Sequence, residues 1–294
     1  MRSRSPRCCS PASPRHRTAA LVLAGAIALA AGADVTTAPA APAARTLLAV
    51  GDIASCASGG DEQTAALVSR IPGTIAVLGD IAYENGSESD FANCFGPSWG
   101  KLVPRIKAAL GNHEYNTARA APAVKLFDLP PDGWYSYSLG AWHVVVLNSN
   151  CGEVGGCERD SPQARWLKAD LAAHHARCTL AYWHHPRFSS GGHGSNVAYA
   201  PFWDTLARAK ADLVLQGHDH DYERFAPLKG IRSFVVGTGG KSHTPTLLPR
   251  PGSVVRNSNT FGVLRLTLRP TGYDWRFLPA GKGTFTDAGT GRCR

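Results

Sequence analysis

Five short apolar runs, each broken off by the same kind of polar ending, constrain this chain more than any other feature. Leu47-Leu48-Ala49-Val50 ends in Gly51-Asp52, and Ile75-Ala76-Val77-Leu78 ends in Gly79-Asp80. Ile106-Lys107-Ala108-Ala109-Leu110 ends in Gly111-Asn112-His113-Glu114, Thr179 to Trp183 in His184-His185-Pro186, and Leu213 to Gln216 in Gly217-His218-Asp219-His220. Runs this short and this apolar read as strands buried on both faces. The gaps between them, about 25 to 70 residues, leave room for crossover helices.

Helix signals fill several gaps. Ser161-Pro162 supplies an N-cap and a first-turn proline, and Trp166, Leu167, Leu171 and His174 recur at helical spacing to about Ala176. Glu62 to Arg70 and Phe202 to Lys210 read as shorter helices. Strand, helix, strand order implies parallel pairing with right-handed crossovers, which places all five polar endings at one edge of a sheet. Open α/β sheets put their sites at that edge. Trp134–Leu139 and Trp142–Leu147, joined at Gly140-Ala141, read as a hairpin; Ile231–Val236, Gly262–Leu268 and Gly272–Phe277 read as antiparallel strands. The expectation is a two-sheet core with helices outside, one domain over 46–294.

The formal charge of +9 invites a polyanion partner, but the basicity is unevenly placed. Arg2, Arg4, Arg7, Arg15 and Arg17 precede an uncharged stretch, Thr18 to Ala33, with an apolar centre at Leu21–Leu29 and small residues at Ala31-Gly32-Ala33. This is the pattern of a secretory signal over 1–33, too short in its apolar part to span a bilayer. Residues 34–45, rich in Ala, Pro and Thr, read as a flexible tether. Without the leader, 26 basic residues face 22 acidic ones, a net of +4. No basic-aromatic stripe appears, so no stable nucleic-acid complex is expected, and no membrane contact after signal cleavage.

Cysteine usage agrees with export. Cys8 and Cys9 leave with the leader; Cys56, Cys94, Cys151, Cys157, Cys178 and Cys293 remain. No pair has Cys-x-x-Cys spacing, so disulfides are expected rather than a thiolate zinc site. Of 15 connectivities, Cys151 with Cys157 is the most local, and Cys56 with Cys94 and Cys178 with Cys293 are the pairings taken with it. The single methionine is Met1, which excludes an axial-methionine copper site in the mature chain.

Gathered at one edge, the endings supply Asp52, Asp80, Asn112, His184, His218 and His220, with Tyr83 three residues beyond Asp80. Carboxylate, amide oxygen and imidazole suit ions of intermediate hardness. Seven donors are too many for one tetrahedral zinc and fit two ions sharing a bridging carboxylate, the arrangement that clamps both oxygens of an in-line phosphoryl displacement.

The series Gly51-Asp52, Gly79-Asp80-Ile81-Ala82-Tyr83, Gly111-Asn112-His113-Glu114, His184 and Gly217-His218-Asp219-His220 resembles the calcineurin-like metallophosphoesterases, and within them the purple acid phosphatases. The resemblance implies an α/β (α+β) four-layer sandwich of two mixed sheets flanked by helices. It implies that Asp52, Asp80, Tyr83 and His220 hold Fe(III), and that Asp80, Asn112, His184 and His218 hold a divalent Fe, Zn or Mn. Many superfamily members carry a ligand histidine two residues after the first Asp; here that position is Ala54. A phenolate is a hard donor that favours a ferric ion.

His113 precedes Glu114, which is read from that adjacency as orienting it; the same resemblance makes His113 a substrate-contacting or proton-donating group and His193 a second active-site histidine, and His185 is a candidate substrate contact. His143, His174 and His175 read as structural, and Tyr222-Glu223-Arg224 as bracing. Lys241 and His243 follow a glycine segment, 237–240, read as flexible, and are given no role. The function implied is a secreted phosphatase that hydrolyses phosphate monoesters by metal-bound hydroxide attack. The alternatives are a phosphodiesterase with the same metal site, acting on nucleotides, nucleic acid or phospholipid, and a non-catalytic phospho-ligand-binding protein.

Overall fold

The computed structural model describes residues 43–294; the expected leader, and the tether as far as residue 42, lie outside that range. The chain forms β1 (Arg45–Val50), β2 (Thr74–Leu78), β3 (Ile106–Ala109), β4 (Tyr135–Leu139), β5 (Trp142–Val146), β6 (Cys178–Tyr182) and β7 (Leu213–Gln216). It continues through β8 (Tyr222–Phe225), β9 (Arg232–Val236), β10 (Ser253–Asn257), β11 (Gly262–Arg269), β12 (Gly272–Pro279) and β13 (Ala288–Arg292). One mixed sheet has the order β13-β12-β11-β1-β2-β3, the other β10-β8-β9-β7-β6-β5-β4.

The alternation of side chains along each strand builds the layers. Leu47 and Ala49 of β1 point between the sheets, where they join Val144, Leu180, Leu215, Phe234, Leu264 and Trp275 in one core. Leu48 and Val50 point the other way, onto Val68, Phe95 and Trp99 of the helical segments beside β1–β3. On the far side of the second sheet, Val145, Ala181 and Val214 meet Leu167, Phe202 and Leu206 of the helices Pro162–Ala173 and Ala200–Arg208. The order is helix, sheet, sheet, helix. Both faces of the central strands are therefore buried, which is why their sequence runs are uniformly apolar.

The five runs form strands as expected, but not in one sheet. β1, β2 and β3 pair in parallel in the first sheet, whereas β6 and β7 belong to the second. The β4–β5 hairpin forms one edge of that second sheet, and β5 pairs in parallel with β6. Apolar runs report burial and carry no record of which neighbour a strand takes. The helix after Ser161 is capped by Ser161 Oγ accepting from the Ala164 amide at 3.2 Å, and ends at Ala173 rather than Ala176. Strand β8 contains Tyr222-Glu223-Arg224, the segment read as bracing. Three disulfides join Cys56–Cys94, Cys151–Cys157 and Cys178–Cys293.

Asp287 ties the two sheets together. Its carboxylate accepts from Tyr222 Oη at 2.7 Å and Arg224 Nε at 2.6 Å on β8, and from Trp275 Nε1 at 3.1 Å on β12. Burial alone would raise its pKa, but the Arg224 and Tyr222 hydrogen bonds outweigh it and hold the group below the usual carboxylate range. Its stabilising contribution is thus fully present above the unfolded value of about 3.9 and is lost as pH falls through the lower folded value. Asp287→Ala leaves a partly buried guanidinium and a buried phenol unpaired, and chemical denaturation near neutral pH should show a loss of about 3 kcal/mol. That deficit should shrink below pH 4; a deficit under about 1 kcal/mol at pH 7 would contradict the assignment.

Candidate metal centre

Parallel strands end their backbone hydrogen bonding on one side, and here two sheets present such ends to each other. The turn after β1 carries Asp52, that after β2 Asp80 and Tyr83, and that after β3 Asn112 and His113. From the opposite sheet, β6 delivers His184 and β7 delivers His218 and His220. The two edges are stitched by the Gly51 amide donating to Val236 O and the His218 amide donating to Asp52 Oδ2, both at 2.9 Å.

The structure brings all seven predicted donors together. Tyr83 Oη lies 3.0 Å from Asp52 Oδ1, 3.1 Å from Asp80 Oδ2 and 3.2 Å from His220 Nε2. On the other side of Asp80, His184 Nε2 lies 3.2 Å from Asp80 Oδ2 and 3.1 Å from both Asn112 Oδ1 and His218 Nδ1. Asp80 Oδ2 is common to both groups. Such spacings match donors placed about 2.1 Å from a shared ion.

Asp80, His220 and His184 are held from behind, as metal ligands require. Asp80 Oδ1 accepts from the His113 amide at 3.0 Å, and His220 Nδ1 meets Ser242 Oγ at 2.7 Å. His184 Nδ1 lies 2.8 Å from Leu78 O, a carbonyl that can only accept, so in the neutral, ligating form of the ring Nδ1 carries the proton and Nε2 presents a lone pair. That lone pair faces Asn112 Oδ1 and Asp80 Oδ2, acceptors against an acceptor. A cation placed among them satisfies all three, and the residues therefore fit a metal.

The electrostatics make the same demand. Burial lowers the proton affinity of His184, but the Asp80 carboxylate outweighs it and pushes the pKa up to about 9, so without an ion a second proton on Nε2 stands toward Asp80 Oδ2 in the place a cation would take. Burial and the Asp52 and Asp80 carboxylates push the Tyr83 phenol well above its ordinary value. Burial and the neighbouring imidazoles hold His218 down, as a neutral donor.

Three of the donors sit on strained backbone. Asp52, Asp80 and His218 adopt positive φ of 60°, 48° and 72°, a conformation costing a non-glycine residue about 1–2 kcal/mol. Gly111 is required by contact rather than conformation: a Cβ there would overlap Asp80 Oδ1 and the Asp80 amide.

Glu114 does not orient His113. Its carboxylate is fully buried and accepts from the amides of Asp80 at 3.0 Å, Ile81 at 2.7 Å and Gly111 at 2.8 Å, so it fixes the turns after β2 and β3. His113 is oriented instead by Nδ1 against Glu84 O at 2.5 Å and by its ring against Tyr83, centroids 4.4 Å apart. His193 reaches the centre, its ring 4.3 Å from that of His218. Asp219, a residue the sequence reading passed over, places it: Oδ1 accepts from the His193 amide at 2.8 Å and Oδ2 from Ser189 Oγ at 2.5 Å. Its position between two candidate ligand histidines, His218 and His220, was the available signal.

His185 packs 4.4 Å from His218 and meets Ser149 Oγ at 2.8 Å; burial first, then His184, pushes it down to about 3, so it stays neutral. The glycine segment 237–240, read as flexible, is buried and pinned, with the Gly239 amide on Gly51 O at 2.9 Å. Lys241 borders the centre, its Nζ 4.8 Å above the Tyr83 ring and paired with Glu84. His143 is structural, 2.7 Å from Asp170.

A donor set of this kind at the facing edges of a two-sheet sandwich defines a metallophosphoesterase-type centre. The profile of the calcineurin-like phosphoesterases matches residues 45–222, and the chain belongs to that family. The curated relatives it matches include purple acid phosphatases. Purple acid phosphatase 22 of Arabidopsis thaliana is 28% identical over 217 residues, covering 60% of this chain and 48% of the relative. Human acid phosphatase type 7 is 26% identical over 225 residues, covering 58% and 50%. The chain thus spans about half the length of these curated relatives. Among solved structures, a purple acid phosphatase from yellow lupin seeds superposes with a TM-score of 0.74 at 17% identity, over 85% of this chain and 54% of that one. GAP50, described as the anchor in the inner membrane complex of Plasmodium, gives 0.67 at 15% identity, over 83% and 88%.

Proposed function

We propose that the chain is a secreted, binuclear metal-dependent phosphatase acting on phosphate monoesters, with residues 46–294 as its catalytic domain. The observation that carries this reading is Asp80 Oδ2, shared between the Asp52/Tyr83/His220 group and the Asn112/His184/His218 group. Because one fold neighbour is described as an anchor, the fold alone does not carry activity; the complete donor set supports it.

Asp52, Asp80, Tyr83 and His220 would hold one ion, Fe(III), and Asp80, Asn112, His184 and His218 a divalent Fe, Zn or Mn. Bound ions supply Lewis-acid charge neutralisation for in-line displacement at phosphorus. His113 commits Nδ1 to Glu84 O, so Nε2 is the atom that would act on a substrate oxygen, and its side chain keeps 27% exposure toward the opening. His193 flanks the opposite side, beside His218. Three disulfides support passage through an oxidising compartment. Among the described residues, no helix is long and apolar enough to cross a membrane.

The purified protein should contain two metal ions per chain and turn over an aryl phosphate. Chelation should abolish that turnover, and metal should restore it. Full activity in metal-free protein would overturn the reading. Bis-aryl phosphate turned over faster than the monoester would favour the phosphodiesterase.

A further inference from the structure

Asn112 and His185 also form one wall of a cleft of about 520 Å³ that opens beside the Asn112/His184/His218 group. Tyr115, Asn116, Asn150, Glu153, Asn196 and Tyr199 line the rest. Among the described residues, no lysine or arginine lines it. The Cys151–Cys157 disulfide closes the loop that carries Glu153.

Hydrogen bonds behind the walls decide which polar atoms remain for a ligand. Asn150 Nδ2 donates to Leu110 O at 3.2 Å and Asn148 Oδ1 at 2.9 Å, leaving Oδ1 as an acceptor. Asn196 Oδ1 accepts from the Ala198 amide at 2.9 Å, leaving Nδ2 as a donor. Tyr115 Oη accepts from Asn148 Nδ2 at 2.6 Å, leaving its own O–H to donate. Glu153 adds an acceptor-only carboxylate.

This mixture of donors and acceptors matches hydroxyl groups, which do both. It does not match additional phosphates, which accept only, are repelled by Glu153 and are met elsewhere by arginine or lysine. We propose that the cleft holds the leaving group of the ester, and that this group is a neutral, hydroxyl-rich alcohol of monosaccharide size rather than a polyphosphorylated one. The inference rests on the phosphomonoesterase reading above and specifies its substrate class.

The test compares kcat/KM of the metal-loaded enzyme for p-nitrophenyl phosphate, glucose 6-phosphate and ATP. Wild type should favour glucose 6-phosphate over ATP by at least about tenfold, and Glu153→Lys should reduce that ratio by at least about tenfold. Asn196→Ala should raise KM for glucose 6-phosphate with little change in kcat. A preference for ATP, or a ratio that neither substitution moves, overturns the inference while aryl phosphate turnover leaves the phosphatase reading intact. Turnover of none of the three, the two esters and the ATP anhydride, overturns that reading and the inference with it.

Discussion

Asp80→Asn should leave a folded protein that has lost its metals and nearly all phosphatase activity. The substitution preserves volume, and the asparagine Oδ1 still accepts from the His113 amide, so the turn after β2 keeps its anchor. What disappears is the second carboxylate oxygen, which lies 3.1 Å from Tyr83 Oη and 3.2 Å from His184 Nε2. An amide nitrogen there is a donor with no lone pair to give. Turnover of an aryl phosphate should fall about a thousandfold or more, the upper end of what losing one preorganised electrostatic stabiliser costs. Metal analysis should show fewer than two ions per chain, with thermal stability measured alongside. A variant keeping both ions and a tenth of the activity would remove Asp80 from its bridging role.

Tyr83→Phe should abolish the visible colour expected of the iron-loaded protein. It deletes one oxygen and leaves the ring against His113. In metal-free protein, burial and the carboxylates of Asp52 and Asp80 hold the phenol protonated far above its ordinary pKa, so only a strongly polarising cation draws the proton off. A tyrosinate-to-iron charge-transfer band should therefore be present in the iron-loaded wild type, absent from the metal-free form and absent from Tyr83→Phe. Iron content should fall in the variant as a hard anionic donor is lost. A colourless wild type holding zinc or manganese would reject iron at this position while leaving the shared carboxylate in place.

Most of the candidate centre was legible because each donor follows an unmistakable strand. Leu47–Val50 and Ile75–Leu78 are too short for helices and too apolar for a solvated face, so the residues after them had to lie at a strand end. His193 was harder to read, since it sits in a loop far from any apolar run. It reaches His218 through Asp219, a contact set by folding rather than spacing. Glu114 was misread for a related reason. Adjacency in sequence linked it to His113, but its carboxylate lies among the amides of Asp80, Ile81 and Gly111, where three donors outbid one imidazole. Strands β10 and β13 gave no signal, because half-exposed edge strands such as Ala288–Arg292 bury too little to leave a pattern.

By itself the sequence determined the strand runs, the donor types that follow them and the phosphoesterase-like order of those donors, because burial on both faces and metal ligation each restrict residue identity position by position. Only the tertiary structure decided that β1–β3 and β6–β7 lie in different sheets, that Glu114 serves the turns after β2 and β3, and that Asn150, Glu153 and Asn196 share a cleft with His185. Strand partners and loop juxtapositions depend on contacts between residues far apart in the chain, and no local pattern encodes such a pair.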